Sequence, residues 1–526
     1  MRTFFLFLLL TVSLSSFSQK ELTWEQIGKT YQFPQWYTDA RFGIWVHWGA
    51  QSVPDSGGGW YARHMYMQDV GKEDWGKNAY PYQVRHYGHP SEKGFKDVIH
   101  AWKADKLNTD ELLRYFKSIG ARYFVAMANH HDHFDNFAST HHAWNSVNVG
   151  PHKDLIGLFS RSAQKYNIPF GVSTHDDRFL SWWLPAFGAD TAGSKKGIPY
   201  DGNMTKADGK GQWWDGLDPA DLYGLPPAKR TPAYIESVKK NYVQRTEELV
   251  TKYKVDFLWF DGYGFPYGNY GKDVCTYFLN NDLKKHGMFT AVISGKFGGK
   301  EPAIAEDVER GAAAGIQQHP WQGTLTFDSW FHKNERPIRH NARTIIESLT
   351  DMISKNGNLL LNVELMPDGR IPADHKLILD TIGKWISQNA EAIYASKPWK
   401  IYGDNIGGVS QTKSISEADL QAAQKSKNHD FSERTVAAPP YPHNEVRFTT
   451  RGNALYVFVL NPSGGKLQIP ALALGSKYNA KKITAINLLG SKTKVSYRQD
   501  KEKLLVQIPS YDNRPFTLVY KVAGVL

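Results

Sequence analysis

Residues 255–260 read VDFLWF, apolar or aromatic side chains broken only by Asp256, and the run stops at Asp261, Gly262, Tyr263 and Gly264. A stretch this short and this rich in strand formers predicts an interior parallel strand. The same pattern recurs along the first 400 residues, with strands predicted near positions 42, 123, 169, 256, 289, 303, 324 and 359. Between them, apolar residues at helical spacing predict helices over 109–120, 155–166, 235–253, 274–286, 345–355 and 376–393. In the first of these, Leu112, Leu113, Phe116 and Ile119 share one face while Asp110 and Glu111 suit its first turn. Strands alternating with helices imply parallel βαβ units. Eight of them predict a (β/α)8, TIM-like barrel of the α/β class, with irregular helices in its sixth and seventh units. Residues 180–230 keep no period and are full of Gly, Pro, Trp and Asp, which predicts a functional excursion.

The texture changes at residue 401. Residues 401–444 are polar and rich in Pro, Gly and Ser, with one short helical patch near 416–426, and read as a linker. Short strands are then predicted over 446–449, 454–460, 467–469, 483–487, 494–497, 504–508 and 516–520, a spacing that predicts a small C-terminal β-sandwich over 445–526. At the other end, Arg2, the apolar stretch 4–12 and the small residues through Ser18 predict a signal peptide over 1–19, leaving 20–400 for the barrel. That apolar stretch is too short to span a bilayer, so the expected destination is secreted or periplasmic, without a membrane span. The single cysteine, Cys275, excludes an internal disulfide.

Composition narrows the partners. A net charge of +11 without clustered Lys/Arg motifs argues against nucleic acid and leaves an anionic, for instance sulfated, glycan open. Aromatic residues make up 13% of the chain, 17 of them Trp, which suits stacking on sugar rings. The polar residues His47, His130, His131, His175, Asp261 and Glu309 all follow the C-terminal ends of predicted strands, the catalytic face of such a barrel. There is no G-x-S-x-G elbow, P-loop or dinucleotide fingerprint. His130, His131 and His133 stand beside Asp132 and Asp135, but neighbours on an extended segment point apart, and neither an HExxH motif nor a cysteine partner supports a metal centre. No metal and no cofactor are expected. Carboxylates among sugar-friendly aromatics point to glycoside hydrolysis.

FGIWVHWG, the WYAR loop, NHHDHF, WNSVNVGPHKDLIG, VDFLWFDG, and GNLLLNVELMPDGRIP before IGKWISQNAEAIY together resemble the α-L-fucosidases of glycoside hydrolase family 29, from about residue 36 to 399. The resemblance implies a retaining mechanism with Asp261 as nucleophile, and sugar contacts from His47, His130, His131 and Trp60. It implies an acid/base in the segment EDVERG, where similarity to relatives with a -DVERG- stretch selects Glu309 over Glu306 and Glu301. Two positions depart from the pattern. Gly59 stands where many relatives carry Glu before the WY of the loop. Lys296, a candidate substrate contact, stands where many carry arginine, keeping the charge without the bidentate fork. The expected function is an exported exo-α-L-fucosidase acting on an oligosaccharide or polysaccharide. The alternatives are the same chemistry on a galactose-type unit of an algal polysaccharide, and a non-catalytic carbohydrate-binding protein.

Overall fold

The computed structural model of the protein describes residues 21–68, 78–311, 313, 315–334, 338, 340–404, 441–478, 481–509 and 516–526. The expected signal peptide, and the linker's helical patch, lie outside the described residues. Eight strands, β1 (Phe42–Val46), β2 (Phe124–Met127), β3 (Phe170–Thr174), β4 (Phe257–Tyr263), β5 (Val292–Lys296), β6 (Ile304–Glu309), β7 (Trp321–Thr326) and β8 (Gly357–Asn362), close in that order into a parallel barrel. All eight predicted strands are present.

The two-residue period of a strand sorts each one into an inward and an outward row. Trp45, Val125, Phe257, Trp259, Val292, Ala305 and Leu360 fill the lumen together with Tyr37 and Tyr123. Ile44, Phe124, Leu258, Phe260, Ile293, Ile304, Leu325 and Leu361 belong to the larger core shared with the helices. Burying each such side chain contributes about 1.5–3 kcal/mol. Near the C-terminal end of the lumen Trp45 packs edge-on against Trp259 with ring centroids 4.6 Å apart, and its indole N–H donates to Ser173 Oγ at 3.2 Å. This pair forms the floor of the site.

The structure differs from the sequence expectation at three places. β5 begins at Val292 rather than 289, because the Asp282 carboxylate takes the backbone N–H groups of Thr290 and Ala291 and turns the chain there. Among the described residues no helix links β5 to β6 or β6 to β7, whereas the seventh unit has a regular helix, Ala342–Ser354. The β5–β6 link instead wraps around Glu306, whose carboxylate accepts from the N–H groups of Phe297, Gly298 and Gly299. The excursion over 180–230 is a series of short turns, pinned in part by buried Asp201, which accepts from Tyr66, Tyr223 and Lys96.

The third difference is in the tail. It contains β9 (Lys397–Asp404), β10 (Glu445–Arg451), β11 (Ala454–Leu460), β12 (Gly465–Ile469), β13 (Ala485–Leu488), β14 (Tyr497–Gln499), β15 (Leu504–Ile508) and β16 (Leu518–Ala523). They form a five-stranded sheet, β13-β16-β11-β10-β9, and a three-stranded sheet, β12-β15-β14. β9 was not among the predicted strands, and it crosses the expected boundary between 400 and 401; its Lys and Pro residues hide an edge strand with one face exposed. The tail is fastened to the barrel by buried Arg447, which pairs with Asp351 of the Ala342–Ser354 helix and with Glu445, each at 2.6 Å. Among the described residues, no helix is long and apolar enough to cross a membrane.

Candidate active site

Continuing the inward row of each strand by two residues past the lumen core brings the candidate residues to one mouth. Trp45 is followed by His47, Ser173 by His175, Trp259 by Asp261, Ser294 by Lys296, Asp307 by Glu309 and Leu360 by Asn362. The β4–β5 ladder loses register between Trp259 and Tyr263, a bulge at the position of Asp261.

The centre of the mouth is a single ammonium. Lys296 Nζ lies 2.7 Å from Asp261 Oδ1 and 2.7 Å from Glu309 Oε2. Two contacts to one nitrogen hold the carboxylate oxygens no further apart than twice that length. That bound is below the roughly 6.5–9.5 Å that leaves room for a water between the carboxyls of an inverting pair. All three side chains are largely buried, 12% exposed for Asp261, 9% for Lys296 and 19% for Glu309. Burial alone would push the Asp261 carboxyl up, but Lys296, His131 and His175 outweigh it and hold the group well below the usual carboxylate range. Burial likewise works against the charge on Lys296, yet Glu309 and Asp261 keep its pKa well above the ordinary value.

The imidazoles line one side. His131 Nε2 is 3.3 Å from Asp261 Oδ2, and its Nδ1–H donates to the backbone carbonyl of His175 at 2.6 Å. His47 receives support from Asn362, whose Oδ1 accepts from the His47 backbone N–H at 2.9 Å and sits 3.0 Å from its Nδ1. His130 Nδ1 accepts from Gln51 Nε2 at 2.9 Å. Burial depresses His47 to about 3 and holds His130 and His175 well below the ordinary histidine value, so these three rings are neutral. His130 and His131 do not point apart as neighbours on an extended segment should: their rings lie 4.5 Å apart, the first grouped with His47 and His175, the second with Asp177 and Asp261.

The aromatic wall consists of Trp60, 4.6 Å centroid to centroid from Trp182, and of Trp330 and Phe331, which pack at 4.7 Å from His47 and 5.0 Å from His130 respectively. Gly59 belongs to this wall. A Cβ there would lie 2.9 Å from the Phe331 ring, so aromatic carbon occupies the space a larger residue would need. Lys296 also reaches over Trp259 and Tyr263, 5.7 Å from each ring.

The structure therefore gathers Asp261, Glu309, Lys296, His47, Trp60, His130 and His131 at one mouth. Glu306 and Glu301 are elsewhere: Glu306 braces the β5–β6 link, and Glu301 accepts from the Trp24 indole at 2.8 Å. Four further residues join the site: His175, Asp177, Asn362 and Phe331. The period of β8 could have located Asn362, and His175 already stood at a strand end; Asp177 and Phe331 lie on loops without a repeating pattern. A cleft of about 940 Å³ opens at the opposite end of the barrel, but its Asp256 and Asp282 are committed to backbone N–H groups. The chemistry is at the C-terminal mouth.

Two carboxylates this close, over an indole floor and beside neutral imidazoles, define a barrel glycoside hydrolase. The family model for α-L-fucosidase matches residues 8–391, and that for the α-L-fucosidase C-terminal domain matches residues 441–523. The chain belongs to the α-L-fucosidase family. The tissue α-L-fucosidase of Bos taurus is 28% identical over 384 residues, covering 70% of this chain and 71% of that protein. That of Homo sapiens is 25% identical over 488 residues, covering 90% and 85%. Among solved structures, the Thermotoga maritima α-fucosidase in complex with fucose superposes with a TM-score of 0.65 at 22% identity, covering 95% of this chain and 99% of that one.

Two predictions arise here. His47→Ala and His130→Ala each remove a well-placed hydrogen-bonding group, worth about 1.5–3 kcal/mol. They should lower kcat/KM roughly tenfold to a hundredfold while the melting temperature stays near that of the parent; loss of fold with full activity in the folded fraction would make them structural. Lys296→Met removes the cation that holds Asp261 ionised. Its carboxyl then titrates at higher pH, so the acid limb of the kcat/KM profile should move up in Lys296→Met and stay near the parent's in Lys296→Arg.

Proposed function

We propose that the protein is an exported, retaining exo-α-L-fucosidase in which Asp261 is the nucleophile and Glu309 the acid/base. The observation that supports this reading is the Lys296 bridge, whose two contacts of 2.7 Å keep an oxygen of each carboxylate closer together than an inverting pair stands. Asp261, kept anionic by its neighbours, attacks the anomeric carbon. As the leaving oxygen displaces the ammonium beside it, Glu309 takes a proton from solvent and gives that proton to the leaving oxygen as the glycosidic bond breaks. In the second step Glu309 accepts a proton from water, and that water releases the sugar from Asp261. His47, His130 and His131 hold the ring hydroxyls, and Trp60 supports its apolar face.

Export is supported by the charged and apolar pattern of residues 1–19. A +11 chain also suits an anionic glycan. The test is a screen of the purified protein on aryl α-L-fucoside, aryl α-D-galactoside and sulfated algal oligosaccharides. Turnover of the fucoside at the highest kcat/KM is expected; preference for the galactoside would move the assignment to another sugar, and binding without turnover of any of them would make the protein a lectin-like binder.

A further inference from the structure

We propose that His47, His130 and His175 also form a binding site for one borderline transition-metal ion, with Zn²⁺ as the probe. The reasoning starts from proton positions. Asn362 Nδ2 donates to the Trp330 carbonyl at 2.9 Å, which fixes Asn362 Oδ1 toward His47 as an acceptor, so His47 Nδ1 carries the hydrogen. His175 Nδ1 lies 3.2 Å from the carbonyl of Asn129, which can only accept, so that nitrogen carries a hydrogen too. In the neutral rings both Nε2 atoms are then bare, and they face each other at 3.2 Å. Two lone pairs at this distance need either a proton or a metal ion between them.

The spacing suits a metal. Zn–N bonds of about 2.0–2.1 Å in a tetrahedral site put neighbouring nitrogens roughly 3.3–3.4 Å apart. One ring nitrogen from each of His47, His130 and His175 lies within 4.8 Å of the other two, all three residues are buried, and the His130 and His175 rings are 4.5 Å apart. Ligating histidines ordinarily donate their second N–H to a carbonyl or amide oxygen, as His47 and His175 do here; His130 does the same once the Gln51 amide turns over, so that its unpartnered Oε1 accepts from His130 Nδ1–H and leaves Nε2 bare for the metal. The rings are neutral, and the Asp261 carboxylate favours positive charge at each of them. Three neutral imidazoles with an open fourth position bind Zn²⁺, Cu²⁺ or Co²⁺ in preference to Mg²⁺ or Ca²⁺. Because His47 and His130 are assigned above to the sugar, the metal and the sugar should exclude one another; that part rests on the proposed function. The ion is an inhibitor, and the retaining chemistry does not use it.

Chelator-stripped full chain is titrated with Co²⁺ alone and followed by its visible ligand-field absorption. One equivalent should give tetrahedral bands that Zn²⁺ abolishes. His175→Gln and His47→Gln should each weaken Co²⁺ binding at least tenfold. Asp177→Asn should leave it unchanged, since Asp177 belongs to a neighbouring cluster with His131 and Asp261. In kinetic assays Zn²⁺ should raise KM without lowering kcat, and EDTA should restore the rate. Absence of bands in the parent protein overturns the proposal whether or not the variants fold. Bands lost in Asp177→Asn but kept in His175→Gln also overturn it, placing the ion at the other cluster. Bands whose strength L-fucose does not change support the metal site and overturn the sugar-pocket reading of the histidines.

Discussion

Asp261→Ala should abolish turnover of every substrate, aryl fucosides included, by roughly 10⁴- to 10⁶-fold, the range seen when a covalent nucleophile is removed. No other carboxylate can replace it in position. Glu309 is on the far side of Lys296, and Asp177 approaches His131 only at 3.9 Å. Removal also frees Lys296 to pair with Glu309 alone, leaving the mouth without an anion aimed at the anomeric carbon. The fold should survive, because Asp261 lies beyond the packed rows of the lumen. The check is single-turnover kinetics on an aryl α-L-fucoside together with thermal unfolding. Residual activity within a hundredfold of the parent would assign the nucleophile elsewhere.

Glu309→Ala should behave differently. A leaving group that needs no protonation still departs, so an activated aryl fucoside should show a burst followed by slow turnover, while a natural glycoside with a poor leaving group loses several orders of magnitude. The cavity left by the carboxylate admits azide, which needs no general base and should raise the steady-state rate. The product should be a fucosyl azide of retained α configuration, since azide meets the same intermediate that water would. Glu306→Ala should instead destabilise the β5–β6 link, whose N–H groups at Phe297, Gly298 and Gly299 lose their acceptor. Azide rescue in Glu306→Ala and none in Glu309→Ala would reverse the assignment.

The barrel was readable because its signals are local and repeated. Each strand is a short apolar run ending in a polar residue, and the two-residue period that packs Trp45 and Trp259 into the lumen also places His47 and Asp261 at its rim. Glu309 is the same case: Ala305 and Asp307 precede it on the inward row of β6, while Glu306 is on the outward row and turns to the backbone. What could not be read depends on contacts between distant segments. Phe331 closes the wall beside Gly59 from a loop more than 250 residues away, and neither stretch has a period that predicts the contact. β9 was hidden because an edge strand with Lys397, Pro398 and Lys400 resembles a linker until β10 pairs with it. The lack of a helix between β5 and β6 among the described residues was masked for a related reason: a carboxylate gathering three backbone N–H groups can replace a helix, and composition does not distinguish the two.

The proposed retaining mechanism depends on how close Asp261 and Glu309 stand, and one measurement addresses it directly. Proton NMR of the parent enzyme acting on an aryl α-L-fucoside, recorded before mutarotation, reports the anomer released first. The Lys296-bridged pair predicts α-L-fucose, with the β anomer growing in only at the rate of spontaneous mutarotation. β-L-fucose as the first product would require a water between the carboxylates and would contradict the account.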